Sequence, residues 1–234
     1  MVPEVYLWGN AGLLIGVLLK KKAIGFIDGN NFYHNAKKQN ILFSKVDFSK
    51  IMKFICEERN LEYTGFYYYN SVPKLDEDKE AYYNQMAYFD KVRKMDNNLG
   101  VITKKLRYKS AKDTLNDYSK QQQKIEESKL CEKCKKNMQQ PCFDCIIKKR
   151  KREKGVDVAI AIDVVQNALD DKYDICILFS GDSDFVPALE LIIKRGKEAI
   201  SSFIRCKGYS WELLQKMDCI PINNTEFENF IIKQ

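Results

Sequence analysis

Histidine occurs once in this chain of 234 residues, at His34, and proline only five times. One imidazole excludes histidine-rich metal centres. It also leaves Ser180 and Ser183 without an evident base, so a serine acyl-enzyme hydrolase is excluded as well. Glycine is sparse at eleven residues. FIDGNN, at Phe26 to Asn31, has one glycine where a dinucleotide-binding turn needs three, and no GxxxxGK[ST] phosphate loop occurs anywhere. The only long apolar run, Val5 to Leu19, is broken by Trp8, Gly9, Asn10 and Gly12 and is shorter than a usual membrane span. No stable membrane association is expected, and the default location is cytoplasmic. Residues 1–22 stand apart as an N-terminal extension of unassigned role.

Positive charge is present, but locally. Of 39 basic and 32 acidic residues, 17 and 7 fall between Val101 and Lys154, so the remainder of the chain is slightly acidic. A basic patch of this kind favours an anionic partner, nucleic acid first, with a solvated charged arm as the plainer alternative. Such an extended patch also argues against a phosphatase for small molecules.

Four of the eight cysteines lie in CEKCKKNMQQPCFDC, placing Cys131, Cys134, Cys142 and Cys145 in a C-x2-C-x7-C-x2-C array. Two CxxC pairs with a short connection suit four thiolates around one tetrahedral Zn2+ in a reducing compartment. With every coordination position filled, that zinc is structural, and it would help fold a lysine-rich excursion with few apolar residues of its own. Cys56, Cys176, Cys206 and Cys219 lie singly and read as small hydrophobes.

Apolar periodicity gives strands near 23–27, 61–69, 101–108, 174–180, 199–203 and 219–222. Between them lie helices near 47–59, 77–97, 157–169, 185–195 and 210–216. Alternation of this kind predicts an α/β fold with an open, mostly parallel sheet covered on both faces. The 77–97 helix carries Tyr82, Tyr83, Met86, Tyr88 and Phe89, more apolar surface than one face needs, which makes a homodimer through it an option.

In such a fold, function gathers beyond the C-terminal ends of strands where strand order reverses. Asp28 ends the first strand. Asp182 and Asp184 follow the apolar strand within ICILFSGDSDFVPALELI, Ile175 to Ile192. If these strands are neighbours, the carboxylates converge, and Asp157 in the first turn of a helix adds a fourth. Asp163, six residues further on, does not share its face and ranks behind it. Close carboxylates repel one another, and a divalent cation with oxygen ligands, Mg2+ or Mn2+, relieves that repulsion. The plainer readings are an Asx turn for Asp182 and Asp184 and a helix-terminal charge for Asp157.

Three blocks, GFIDGNNFYHNA at 25–36, KGVDVAIAIDVV at 154–165 and LFSGDSDFVPAL at 178–189, together resemble the NYN domain family, relatives of PIN-domain nucleases that include LabA-like bacterial proteins. The resemblance spans about Lys22 to Thr225 apart from the excursion. It implies a PIN-like three-layer α/β/α sandwich, placed at 23–226. The basic insertion at 110–152, with the zinc site expected at 131–145, interrupts that domain, and 227–234 form a tail. It also implies a metal-dependent ribonuclease that hydrolyses RNA phosphodiesters, with Asp28, Asn31, Asp157, Asp182 and Asp184 as site residues and RNA, single-stranded or structured, as substrate. A 5′-phosphate and a 3′-hydroxyl would be left. The four-cysteine insertion has no counterpart in the family pattern. The competing reading is a catalytically weak RNA-binding module that uses the insertion.

Overall fold

The computed structural model describes residues 20–108, 111–138, 151–152, 155–205 and 210–232. Six parallel strands form one sheet in the order β3-β2-β1-β6-β7-β8. They are β1 (Lys22–Asp28), β2 (Glu62–Val72), β3 (Asn98–Lys105), β6 (Ile175–Phe179), β7 (Glu198–Ile204) and β8 (Asp218–Ile222). From β1 the chain builds outward through β2 and β3, then returns to the other side of β1 to lay down β6, β7 and β8. The reversal lies between β1 and β6, which pair with Ile27 opposite Phe179. Their successors, Asp28 and Ser180, therefore emerge side by side.

Helices cover both faces because the central strands are apolar on both. On β1, Ala23 and Ile27 join one core with Phe32 and Ala36 of α1 (Gly29–Lys38), Phe48, Ile51 and Met52 of α2 (Phe48–Glu58), and Phe89 and Val92 of α3 (Lys79–Arg93). The alternate residues Ile24 and Phe26 join the other core, with Val156, Ile160 and Val164 of α6 (Val156–Leu169), Leu189 and Ile192 of α7 (Val186–Lys194), and Leu213 of α8 (Trp211–Lys216). A side-chain period of two sends neighbouring residues to opposite layers. Gly25 has no side chain for the same reason of space: a Cβ there would meet Met52 Sδ at 2.6 Å.

The charged excursion contains helices that the composition did not suggest, α4 (Ala111–Glu126) and α5 (Glu132–Met138). Its two ends meet in a short antiparallel ribbon, β4 (Arg107–Tyr108) with β5 (Lys151–Arg152). At the far end of the chain, α9 (Asn224–Phe227) and the following turn bring Phe227 and Phe230 into the core. The Asp47 N–H donates to the Phe230 carbonyl at 2.8 Å, fixing this segment beside α2.

The apolar surface of α3 is largely used within the chain. Phe89 is buried, Tyr82, Met86 and Tyr88 pack against the core, and Tyr83 is left exposed. Among the described residues, no helix is long and apolar enough to cross a membrane. Residues 1–19 lie outside the described residues.

Candidate functional site

Asp28 is the last residue of β1 and the N-cap of α1. One oxygen, Oδ1, accepts from the backbone N–H groups of Asn30 at 3.1 Å and Asn31 at 3.0 Å. These are the donors that a helix start leaves free, so the strand-to-helix turn itself orients the carboxylate. The other oxygen, Oδ2, accepts from the Ser180 hydroxyl at 3.2 Å. Gly29 permits the turn to be this tight. A Cβ at that position would overlap the Tyr68 hydroxyl and come within 2.7 Å of the Tyr69 carbonyl.

The loop after β6 is held by a second set of bonds. Asn31 Oδ1 accepts from Asn35 Nδ2 at 2.9 Å and from the Gly181 N–H at 3.3 Å, joining α1 to the Ser-Gly-Asp-Ser-Asp segment. Ser180 Oγ accepts from the Asp182 N–H at 3.3 Å. Asp182 caps the following 3-10 turn through its own Oδ1, which accepts from the Asp184 N–H at 3.0 Å. The Asx-turn expectation is met for Asp182, which keeps Oδ2 beyond that bond. Asp184 is exposed.

Electrostatics link the acidic residues across elements. Asp28 is 4% exposed, and its carboxyl is pushed up to about 6. Burial is the main cause, opposed by the Asn31 N–H and reinforced by the nearby charge of Asp157. Asp157, in the first turn of α6, has a raised pKa as well, first from lost hydration and then from Asp182 and Asp184. Its side chain is open to solvent by surface area, so the desolvation is the partial kind produced by neighbouring protein mass. No basic side chain figures among the described groups that shift Asp28 or Asp157. Asp157 thus feels the charge of Asp182 and Asp184 on one side and acts on Asp28 on the other. Even so, among the described residues no three His, Cys, Asp or Glu side chains lie close enough to hold a single ion.

Asp163 has a different position. Its Oδ2 accepts from the Tyr69 hydroxyl at 2.9 Å, and its carbonyl accepts from Asn167 Nδ2 at 2.6 Å. The first bond ties α6 to β2. His34 is exposed on α1, its ring edge-on to Tyr33 with centroids 5.4 Å apart.

Lys104 and Lys105 are exposed at the C-terminal end of β3, and because β1, β2 and β3 run parallel, that is the end of the sheet that carries Asp28. In the excursion, Cys131 and Cys134 are exposed free thiols. The Cys131 thiol is lowered by hydrogen bonds from the Cys134 backbone N–H and side chain. Cys142 and Cys145 lie outside the described residues, as does Cys206. Cys56 and Cys176 are buried, and Cys219 is half-buried.

Sequence reasoning missed a cleft beside this site. It has a volume of about 740 Å³ and is lined by residues of α1, the end of β2 and α3, among them Asn30, Tyr33, His34, Asn70, Gln85 and Tyr88. The residues come from segments well apart in the sequence, Phe43 and Leu106 included, and form no motif. The concentration of tyrosine and side-chain amides on α1 and α3 was the one available signal.

No curated protein matches the chain. Among solved structures, it is similar to a protein of unknown function from Vibrio parahaemolyticus, with 18% identity and a TM-score of 0.51 over 91% of this chain and 97% of that one. At that identity the likeness concerns the fold. The profile of the NYN domain matches residues 79–221, which takes in Asp157, Asp182 and Asp184 and begins after Asp28 and Asn31. It is the sheet that brings the earlier pair to the others. With the matched region covering more than half of the sequence and including the loop after β6, the chain belongs to the NYN domain family.

Proposed function

We propose that the protein is a metal-dependent ribonuclease whose centre is the crevice between β1 and β6. The observation that carries this reading is the raised carboxyl of buried Asp28 beside Asp157, itself raised first by lost hydration and then by Asp182 and Asp184, with no basic side chain among the described residues offsetting either. Burying like charges without a counter-charge is costly, and a cation is the partner such a set calls for. The donors are all carboxylate oxygens, which suits Mg2+ or Mn2+. Mg2+ commonly takes one or two carboxylates and keeps several waters, so it needs no closed cage of three side chains. Asp28, Asp157, Asp182 and Asp184 would hold one or two such ions, each through one or two carboxylates and otherwise through water. A divalent ion supplies charge neutralisation at a phosphate and acidifies a water.

The chain's own groups do the positioning. Ser180 and the α1 N-terminus fix both oxygens of Asp28. Asn31 holds Gly181 and so sets the loop that carries Asp182 and Asp184. Lys104 and Lys105 attract the RNA backbone towards a site that would otherwise repel it. In the reaction, water oxygen bonds to phosphorus as the P–O3′ bond breaks. The products are a 5′-phosphate and a 3′-hydroxyl that takes up a proton. Cys131, Cys134, Cys142 and Cys145 would bind a structural Zn2+ within the excursion, and the lowered Cys131 thiol is what a metal-binding thiolate requires.

The test is incubation of purified protein with end-labelled single-stranded RNA, with Mg2+, with Mn2+ and with chelator. Cleavage that appears with metal and disappears with chelator supports the proposal. RNA that is bound and left intact under all three conditions contradicts it and favours the RNA-binding module.

A further inference from the structure

We infer that the cleft between α1 and α3 is a nucleobase pocket that seats one unpaired base of the RNA next to the acidic centre. The inference rests on the RNA reading above. The cleft starts at Asn30, whose backbone N–H is bonded to Asp28, so its mouth adjoins the proposed phosphate position. Its described lining contains no Lys, Arg, Asp or Glu. An uncharged cleft beside an acidic centre suits the neutral part of a nucleotide and leaves the phosphate to the metal and lysines.

The lining has both kinds of group that bases use. Tyr33 stands edge-on to Phe43 at 5.4 Å, and Phe43 lies against Tyr88 at 4.5 Å, giving an aromatic wall. Bases stack on such walls with little regard to sequence. Opposite chemistry comes from the amides. Gln85 Nε2 donates to the Ser71 carbonyl at 2.6 Å, leaving Gln85 Oε1 for another donor, and the side chains of Asn30 and Asn84 make no hydrogen bond among the described residues. An amide offers a donor and an acceptor together, which is what the edge of a base presents. The Tyr88 hydroxyl is buried in the lining and, among the described residues, has no partner that meets hydrogen-bond geometry.

The test measures binding of a short single-stranded RNA, intact or with one base removed at each position in turn. The protein is the full chain carrying Asp182→Asn, so that cleavage does not consume the ligand. Removal at one position should weaken binding roughly tenfold, within the range of base–aromatic stacking. Adding Tyr33→Ala, at a residue 42% exposed and therefore tolerant of truncation, should abolish that positional difference. Asn84→Ala, also at an exposed position, should reduce it. If base removal matters nowhere, or matters equally with and without Tyr33, the pocket assignment is overturned while RNA binding stands. If the chain carrying Asp182→Asn alone binds no RNA with or without metal, the RNA reading itself falls, and the pocket assignment with it.

Discussion

Ser180 Oγ donates to Asp28 Oδ2 at 3.2 Å, joining two side chains 152 residues apart that emerge from neighbouring parallel strands. The bond favours the charged form of Asp28 and partly offsets its burial. Ser180→Ala should therefore move the Asp28 carboxyl further up from about 6. The Asp182 N–H would also lose its acceptor. The expected result is an upward shift in the midpoint of the pH profile of RNA cleavage, with the fold retained. An unchanged midpoint would show that the hydroxyl does not govern Asp28.

Asp28 also makes a prediction about stability. Its carboxyl is raised from 3.8 to about 6, so the folded state binds this proton more tightly than the unfolded state does. The favourable contribution is complete below about pH 4 and is lost as pH rises through about 6. A shift of that size corresponds to about 3 kcal/mol. Asp28→Asn can still cap α1 and does not titrate. Denaturant unfolding should show wild type losing stability relative to this variant between pH 4 and 7 in chelator. Mg2+ should then restore wild type selectively, because a ligand of the folded state stabilises it.

Tyr69 and Asp163 separate a structural carboxylate from the candidate catalytic ones. Tyr69→Phe removes the 2.9 Å bond between β2 and α6 and should cost about 1–2 kcal/mol in stability. Cleavage per folded molecule should remain near wild type. A large loss of cleavage without loss of stability would place Asp163 in the chemistry.

Much of the layout was legible because its signals are local. Asp28, Asp182 and Asp184 sit where apolar strands end, whereas the adjacency of β1 and β6 was only a condition of the sequence reading and comes from the sheet itself. Ser210 caps its helix as a short polar residue does before an apolar stripe. The ribbon of β4 and β5 was not legible, because two residues per strand carry no periodicity. Helix α4 was hidden by a composition dominated by charge and glutamine, with few apolar positions to mark its face. The cleft was invisible for a third reason. Asn30, Asn70 and Gln85 are ordinary polar residues until α1, β2 and α3 bring them together.

The excursion makes a prediction about metal content. Protein purified without chelator should carry one zinc per chain by atomic absorption, and Cys134→Ser or Cys145→Ser should lose it. Helical signal from the excursion should fall with the zinc while the parallel sheet persists, since, among the described residues, neither core of the sheet contains one of 131–138. A metal-free wild-type protein with full helical signal would contradict a zinc-dependent fold for the insertion.

The most direct test of the account is the rate of single-stranded RNA cleavage across a manganese titration for wild type and Asp182→Asn side by side. Asparagine can keep the cap on the Asp184 N–H, so the loop should hold its shape. The account predicts metal-dependent cleavage by wild type and a loss of at least about 100-fold in the variant, the upper end of what changes behind a metal ligand cost. Equal rates in the two proteins, or cleavage by wild type that persists in chelator, would contradict a cation-dependent site built from these aspartates.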